Sequence, residues 1–308
     1  MREQILSCLG RFPEKMPLQL RTLSETDAGD HLRRLVEYCV EKDERIRAFL
    51  LIPKHAPAKS PAVLAIHQHA GKWALGKSEV VGLAGDPMQA YGLDLVRRGF
   101  VVLAPDLLCF EERIPSPFAD CPETLSQYER FAFLQYLTHG ACLQTKYLHD
   151  LSVAVDLLES LDFVDARRIG AVGHSLGGQE TLWITWYDRR IRAGISSCGT
   201  GTLRSIFNAH IIHNYALYVP GMAQYCDVDE LAAEIAPRGI FLTNGSHDFA
   251  HFPADGVAAI RKRCEGNPGF RALSFDGAHA FPDTVKAQAY AWLENLLGIT
   301  KKGDQYDL

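Results

Sequence analysis

The segment Gly173-His174-Ser175-Leu176-Gly177-Gly178 follows the apolar run Ile169-Gly170-Ala171-Val172 and opens a helical pattern at Leu176. Few features constrain a chain more than a serine held between glycines where a buried strand meets a helix. The glycines let the backbone reverse where side chains would collide, so the Ser175 hydroxyl is lifted above the end of the strand. The next helix aims the positive end of its dipole at the same point. Negative charge developing there is stabilised, with the Leu176 backbone N–H as one donor of an oxyanion hole. This is the G-x-S-x-G pattern in the strand–turn–helix context that its chemistry needs, and it predicts Ser175 as a nucleophile.

The rest of the chain supplies a sheet for that turn. Ala62–Ile66 and Phe100–Ala104 are short apolar runs, as in strands buried on both faces, and Ile169–Gly173, Ile191–Ser196, Ile240–Thr243 and Ala272–Phe275 read as further strands. Helical patterns separate them. Asp86-Pro87 opens one, with Met88, Tyr91 and Leu95 on a single face and Gly99 at its end. Leu148, Leu151, Val155 and Leu158 mark a second, and Val285, Ala289, Trp292 and Leu296 mark a C-terminal helix over Thr284–Leu297. Such alternation predicts an α/β fold with a mostly parallel sheet flanked by helices. Upstream, residues 1–25 read as a peripheral helix and loop. His31–Val40 and Arg45–Ile52 read as two strands around the charged turn at 41–44, giving about eight strands in all. Residues 1–58 are thus an N-terminal helix and leading strands of one domain. Residues 59–308 form its core, with helical excursions near 107–147 and 200–236 and a frayed closing tail, KKGDQYDL.

Composition narrows the function classes. A chain of 308 residues that is 47% hydrophobic and 22% charged suits one large soluble domain. With a net charge of −5 and no basic stripe, nucleic acid is not an expected partner. No apolar run approaches the roughly 20 residues of a membrane span, so no membrane partner is expected either. The N-terminus lacks a secretory apolar core, and the eight scattered cysteines form no CxxC or zinc-spaced cluster, which predicts free thiols in a cytoplasmic protein. A homodimer is compatible with the sequence. No cofactor and no metal are implied: His67 and His69 stand at i, i+2, but no carboxylate or cysteine completes a site beside them.

A serine nucleophile at such a turn needs a base and an acid, which come after it in the order acid, then histidine. Asp248 comes after Phe241-Leu242-Thr243, and His279 comes after Phe275 in Asp276-Gly277-Ala278-His279. Asp248 is the expected acid, and His279 the base that takes the serine proton and returns it to the leaving group. Asp255 is set aside because it stands where it caps the following helix. A second oxyanion amide is expected from the loop Ile66-His67-Gln68-His69, from His69 rather than Gln68. Asp106, directly after a strand, is expected to fix its loop through backbone amides. Glu111, Glu112 and Arg113 fit either ion pairs at a pocket rim or a solvated charge run. Phe207, His210, His213, Tyr215, Tyr218 and Tyr225 either line a pocket or pack an inserted helix.

The block IHQHAGKWALGKSEVVGLAGDPMQAYGLDLVRRGFVVLAPD resembles the dienelactone-hydrolase and acetyl-xylan-esterase-like branch of the α/β-hydrolases. So do RRIGAVGHSLGG, IAPRGIFLTNGSHD and the late DGAH, and the resemblance spans roughly residues 60–298. It implies the α/β-hydrolase fold and the triad Ser175, Asp248 and His279. Two positions depart from the pattern: dienelactone hydrolases proper carry cysteine where Ser175 stands, and His67-Gln68-His69 replaces the HGGG of many lipases. The expected function is a serine carboxylic-ester hydrolase acting on small acyl esters, acetylated sugars or metabolites among them. The same triad also serves an amidase, a peptidase or an acyltransferase, and a non-catalytic ligand-binding protein is a third alternative.

Overall fold

The computed structural model describes residues 1–55, 57–248 and 250–299. Among them nine strands form one sheet: β1 (Arg21–Asp27), β2 (His31–Glu41), β3 (Glu44–Pro53), β4 (Ser60–Ile66), β5 (Val101–Pro105), β6 (Val164–His174), β7 (Ile191–Ser197), β8 (Gly239–Gly245) and β9 (Phe270–Phe275). Their spatial order is β1-β2-β3-β5-β4-β6-β7-β8-β9. The first three run antiparallel and join the sheet through an antiparallel β3–β5 pair, while β4 to β9 are parallel throughout. The chain crosses from one side of β4 to the other between β5 and β6. In such sheets the crevice at the strands' carboxyl ends is where ligands bind.

The alternation of β4 shows how both faces are covered. Leu64 and Ile66 pack with Leu148, Leu151 and Leu182 on one side, and Val63 and Ala65 pack with Tyr91, Leu95 and Leu293 on the other. All seven residues of β4 are buried, which is why its sequence is apolar without alternation. The helix Leu176–Tyr187 is buried at every position but its last, including its polar residues Gln179 and Glu180.

Several expectations are corrected. Arg21–Asp27, read up to residue 25 as a loop, pairs with β2 and adds a ninth strand to the eight the sequence located. All seven of its residues are exposed, so no apolar periodicity marks it. Asp86 does cap, accepting from the Met88 amide at 2.9 Å, but it opens a 3-10 turn over Pro87–Gln89, and the α-helix is Tyr91–Arg97. Asp255 lies inside the first turn of the helix Ala254–Cys264, whose N-cap is Pro253. The core helix Leu143–Ser160 follows the first excursion. The tail KKGDQYDL lies outside the described residues.

The charge run at 111–113 forms ion pairs with partly and fully buried groups, although Glu112 itself is exposed. Arg113 reaches Glu44 at 2.5 Å and Asp150 at 2.7 Å, with its own side chain only 6% exposed. Lys77 pairs with Asp106 at 2.7 Å and Glu111 at 2.8 Å. Asp106 also accepts the Lys77 amide, so it ties down the segment after β4 rather than its own loop and holds a buried ammonium besides.

Glu180, on the Leu176–Tyr187 helix, is fully buried with only the amides of Gln144 and Gln179 beside its carboxyl. Burial raises its pKa to about 8, so it is a neutral acid at pH 7. Its folded value lies above the unfolded one. Stability is therefore full below the unfolded pKa and is lost as pH rises through about 8. Glu180→Gln, with Gln144 turning its amide over, is expected to gain on wild type by on the order of 3 kcal/mol between pH 4.5 and pH 8. Denaturant melts at the two pH values check this. A difference that stays constant with pH contradicts it.

Candidate active site

Ser175 sits between the last residue of β6 and the first of the helix Leu176–Tyr187, with φ at 55°. A non-glycine residue in this left-handed region carries strain that only the surrounding structure maintains. Gly177 maintains it most visibly, since a Cβ there would lie 1.9 Å from the Ile66 carbonyl oxygen of β4. The Ser175 amide donates to the Ser197 carbonyl of β7 at 2.8 Å, tying the turn to the neighbouring strand. Leu176, as the first helical residue, presents an N–H that no preceding turn of helix can accept.

Asp248 and His279 follow β8 and β9 and meet there. His279 Nδ1 donates to Asp248 Oδ2 at 2.7 Å. Burial alone would raise the Asp248 carboxyl, but hydrogen bonds from His251 and His279 more than offset it and hold its pKa below the ordinary value. His279 Nε2 is buried and has no hydrogen-bond partner among the described residues. Ser175 and His279 line the same cavity of about 340 Å³. No hydrogen bond joins the Ser175 hydroxyl to that ring nitrogen. Catalytic hydrogen bonds are often this loose before a substrate binds.

Two neighbouring histidines complete the group. His251 escaped the sequence reading. It donates through Nδ1 to Asp248 Oδ1 at 2.7 Å, and its ring stacks on His279 with centroids 4.0 Å apart. Its only sequence signal is a histidine three residues after the acid. His174, within the glycine-flanked motif, packs its ring 4.8 Å from His279. Burial lowers its pKa to about 3, so it stays neutral beside His279.

The loop after β4 forms another wall. Gln68 turns its side chain away to Glu79 at 2.9 Å, whereas His69 lines the cavity. His69 Nε2 donates to Glu129 at 2.8 Å. Glu129 comes from the helix Leu125–Thr138 of the first excursion and also escaped the sequence reading. From the second excursion His213, Asn214 and Tyr215 reach the cavity, while Phe207, His210, Tyr218 and Tyr225 do not. Part of that aromatic stretch is thus pocket and part is packing.

The paired histidines His67 and His69 diverge. His67 Nε2 accepts the Leu107 amide at 3.0 Å and Nδ1 donates to the Gln68 carbonyl at 2.8 Å, which occupies both nitrogens structurally. Two groups of metal-type ligand atoms do lie within 4.8 Å of one another: Cys198, Asp248 and His279, and Glu41, His149 and Asp150. In the first, Cys198 Sγ is turned to the Ala280 carbonyl at 3.3 Å, and the remaining pair is the Asp248–His279 couple itself. In the second, the ammonium of Lys146 already sits on Glu41 and, at 2.9 Å, on Asp150. All eight cysteines are free, and no helix among the described residues is long and apolar enough to cross a membrane.

A mostly parallel sheet with a strained serine turn after a central strand, and an Asp–His pair after the last two strands, is the α/β-hydrolase fold. The chain belongs to the dienelactone hydrolase family, whose model matches residues 46–292 and so takes in β3 as well as the stretch from β4 onward. It is 27% identical over 264 residues to the Bacillus subtilis (strain 168) protein named "Putative hydrolase YtaP", covering 85% of this chain and 84% of that one. Among solved structures it resembles acetyl xylan esterase 1 from Thermoanaerobacterium sp., with a TM-score of 0.66, 16% identity and coverage of 96% and 98% of the two chains. It also resembles a glucuronoyl esterase from Solibacter usitatus, with a TM-score of 0.65, 18% identity and coverage of 95% and 91%.

Proposed function

We propose that this hydrolase cleaves small, uncharged carboxylic esters through a covalent acyl-enzyme on Ser175. The observation that carries the proposal is the Asp248–His279 hydrogen bond at 2.7 Å, with the opposite ring nitrogen unpartnered beside Ser175 in one cavity. In the first step Ser175 Oγ attacks the ester carbonyl carbon and its proton passes to His279 Nε2. The carbonyl oxygen becomes an oxyanion held by the Leu176 and His69 amides. Asp248 keeps the Nδ1 proton in place and balances the imidazolium. Collapse breaks the bond to the alkoxy oxygen, which leaves as the alcohol with the proton from His279. Water then repeats the sequence on the acyl-serine, releasing the carboxylic acid and restoring Ser175.

The substrate class rests on the cavity wall. Among the described residues it carries no lysine or arginine, and its one carboxylate is Glu129. An ester bearing a free carboxylate would meet no compensating charge there. A volume of about 340 Å³ suits a small acyl group with a modest alcohol. The acetyl xylan and glucuronoyl esterases of like fold agree with ester cleavage, and the first of them agrees with a sugar as the alcohol. The test is a p-nitrophenyl ester series from acetate to decanoate, with Ser175→Ala alongside. The expected result is turnover that falls as the acyl chain lengthens and is absent in the variant. A folded protein that cleaves none of the series contradicts the proposal and moves amide hydrolysis or acyl transfer ahead.

A further inference from the structure

Glu129 lies on the helix Leu125–Thr138, sixty residues along the chain from His69, yet its side chain is only 4% exposed. Three donors converge on its carboxylate. His69 Nε2 at 2.8 Å and Trp73 Nε1 at 3.1 Å share Oε2, and the Tyr215 amide reaches Oε1 at 3.2 Å. These donors come from the loop after β4 and from the second excursion, so one carboxylate joins three walls of the cavity. Burial alone would raise its pKa, but the hydrogen bonds from His69, Trp73 and Tyr215 outweigh it and keep the group an anion. An ionised carboxylate accepts only, as three converging donors require.

The consequence lies in the loop. The Gly71 amide donates to His69 Nδ1 at 2.9 Å, so Nδ1 is an acceptor and the ring proton sits on Nε2, pointed at Glu129. A continuous chain thus runs from the Glu129 carboxylate through the imidazole to the Gly71 amide. Across that span Ala70 and Gly71 both have left-handed backbones, with φ at 47° and 66°. For alanine this conformation costs about 1 kcal/mol and needs an external hold. The imidazole tethered by Glu129 supplies one at the loop that carries the His69 amide.

We infer that Glu129 is a positioning residue for the oxyanion site: through the His69 ring it fixes the bend at 69–71 and with it the direction of the His69 N–H. The inference rests on the ester-hydrolase proposal above. The test compares wild type, Glu129→Gln, His69→Ala and the double variant on p-nitrophenyl acetate, with thermal unfolding of each. Neither substitution removes the His69 backbone N–H, so a rate loss reports its placement. Glu129→Gln is expected to lower kcat about 100-fold, the scale of a misplaced catalytic group, with KM within about threefold of wild type.

A trifluoromethyl ketone forms a serine adduct that carries an oxyanion, and its inhibition constant is expected to weaken by the same factor as kcat/KM. A merely structural role would not move that ratio. The double variant is expected to lose no more than the worse single. Wild-type kcat in Glu129→Gln, an unchanged inhibition constant, or losses that multiply in the double variant would each overturn the inference. Should Glu129→Gln not fold, His69→Ala removes the same bond from its other end, and there undiminished kcat overturns it. A wild type that cleaves no ester instead sinks the ester-hydrolase proposal, and this inference with it.

Discussion

Asp248→Ala is expected to lower kcat for ester cleavage about 10,000-fold while leaving KM nearly unchanged. In the proposed reaction His279 accepts the serine proton at Nε2 while keeping its own on Nδ1, which makes it a cation. Asp248 is the carboxylate in contact with it, at 2.7 Å. The two histidines beside it bring no negative charge: His174 is held neutral by burial, and His251 depends on the same carboxylate. Removing that charge leaves the imidazolium uncompensated and the ring free to turn. Because Asp248 is held below the ordinary carboxylate range, it stays ionised across the working pH range. Protonation of this group therefore does not set the acid limb of the wild-type profile. Steady-state kinetics on p-nitrophenyl acetate, with circular dichroism to confirm folding, checks the expectation. A loss of less than about tenfold would transfer the acid's role to another carboxylate.

The largest effect on stability is expected from Gly177→Ala. The added methyl would lie 1.9 Å from the Ile66 carbonyl oxygen and 2.8 Å from that of His67, both backbone atoms of a buried central strand and its exit. Neither can move without shifting β4, and the cost is expected to be about 3 kcal/mol or more. Gly140→Ala is the control. It has φ at 75° with nothing within 4 Å of the added carbon, so it bears only the backbone cost of about 1 kcal/mol. Denaturant midpoints of the two variants separate close contact from backbone strain. Equal losses would show that the approach of the Ser175 helix to β4 is not tight.

The parts of the site that the sequence displayed share one property. Ser175, Asp248 and His279 each stand within a few residues of the end of a strand in the parallel half of the sheet, and parallel strands deliver their carboxyl ends to one edge. Periodicity locates the strands, and topology then gathers the residues at their carboxyl ends. The hidden parts lack a local signal. Glu129 stands between Tyr128 and Arg130 and reads as a solvated helical acid, and only its contact with a loop sixty residues away buries it. His251 reads as a surface loop histidine until Asp248 offers it a second oxygen. Arg113 and Lys146 look like ordinary surface charges, yet they share Glu44 of β3 and Asp150 of the helix Leu143–Ser160. β1 is held by its hydrogen bonds to β2 rather than by an apolar face, so its sequence, RTLSETD, carries no strand alternation.

Covalent labelling asks whether Ser175 is the nucleophile, on which every step of the proposed reaction depends. The purified chain is treated with a fluorophosphonate, its intact mass is measured, and the adduct is mapped by peptide sequencing. A single adduct on Ser175, absent in Ser175→Ala, is expected. A folded wild type that takes no label, or a label that persists in the variant, would show that Ser175 is not the nucleophile.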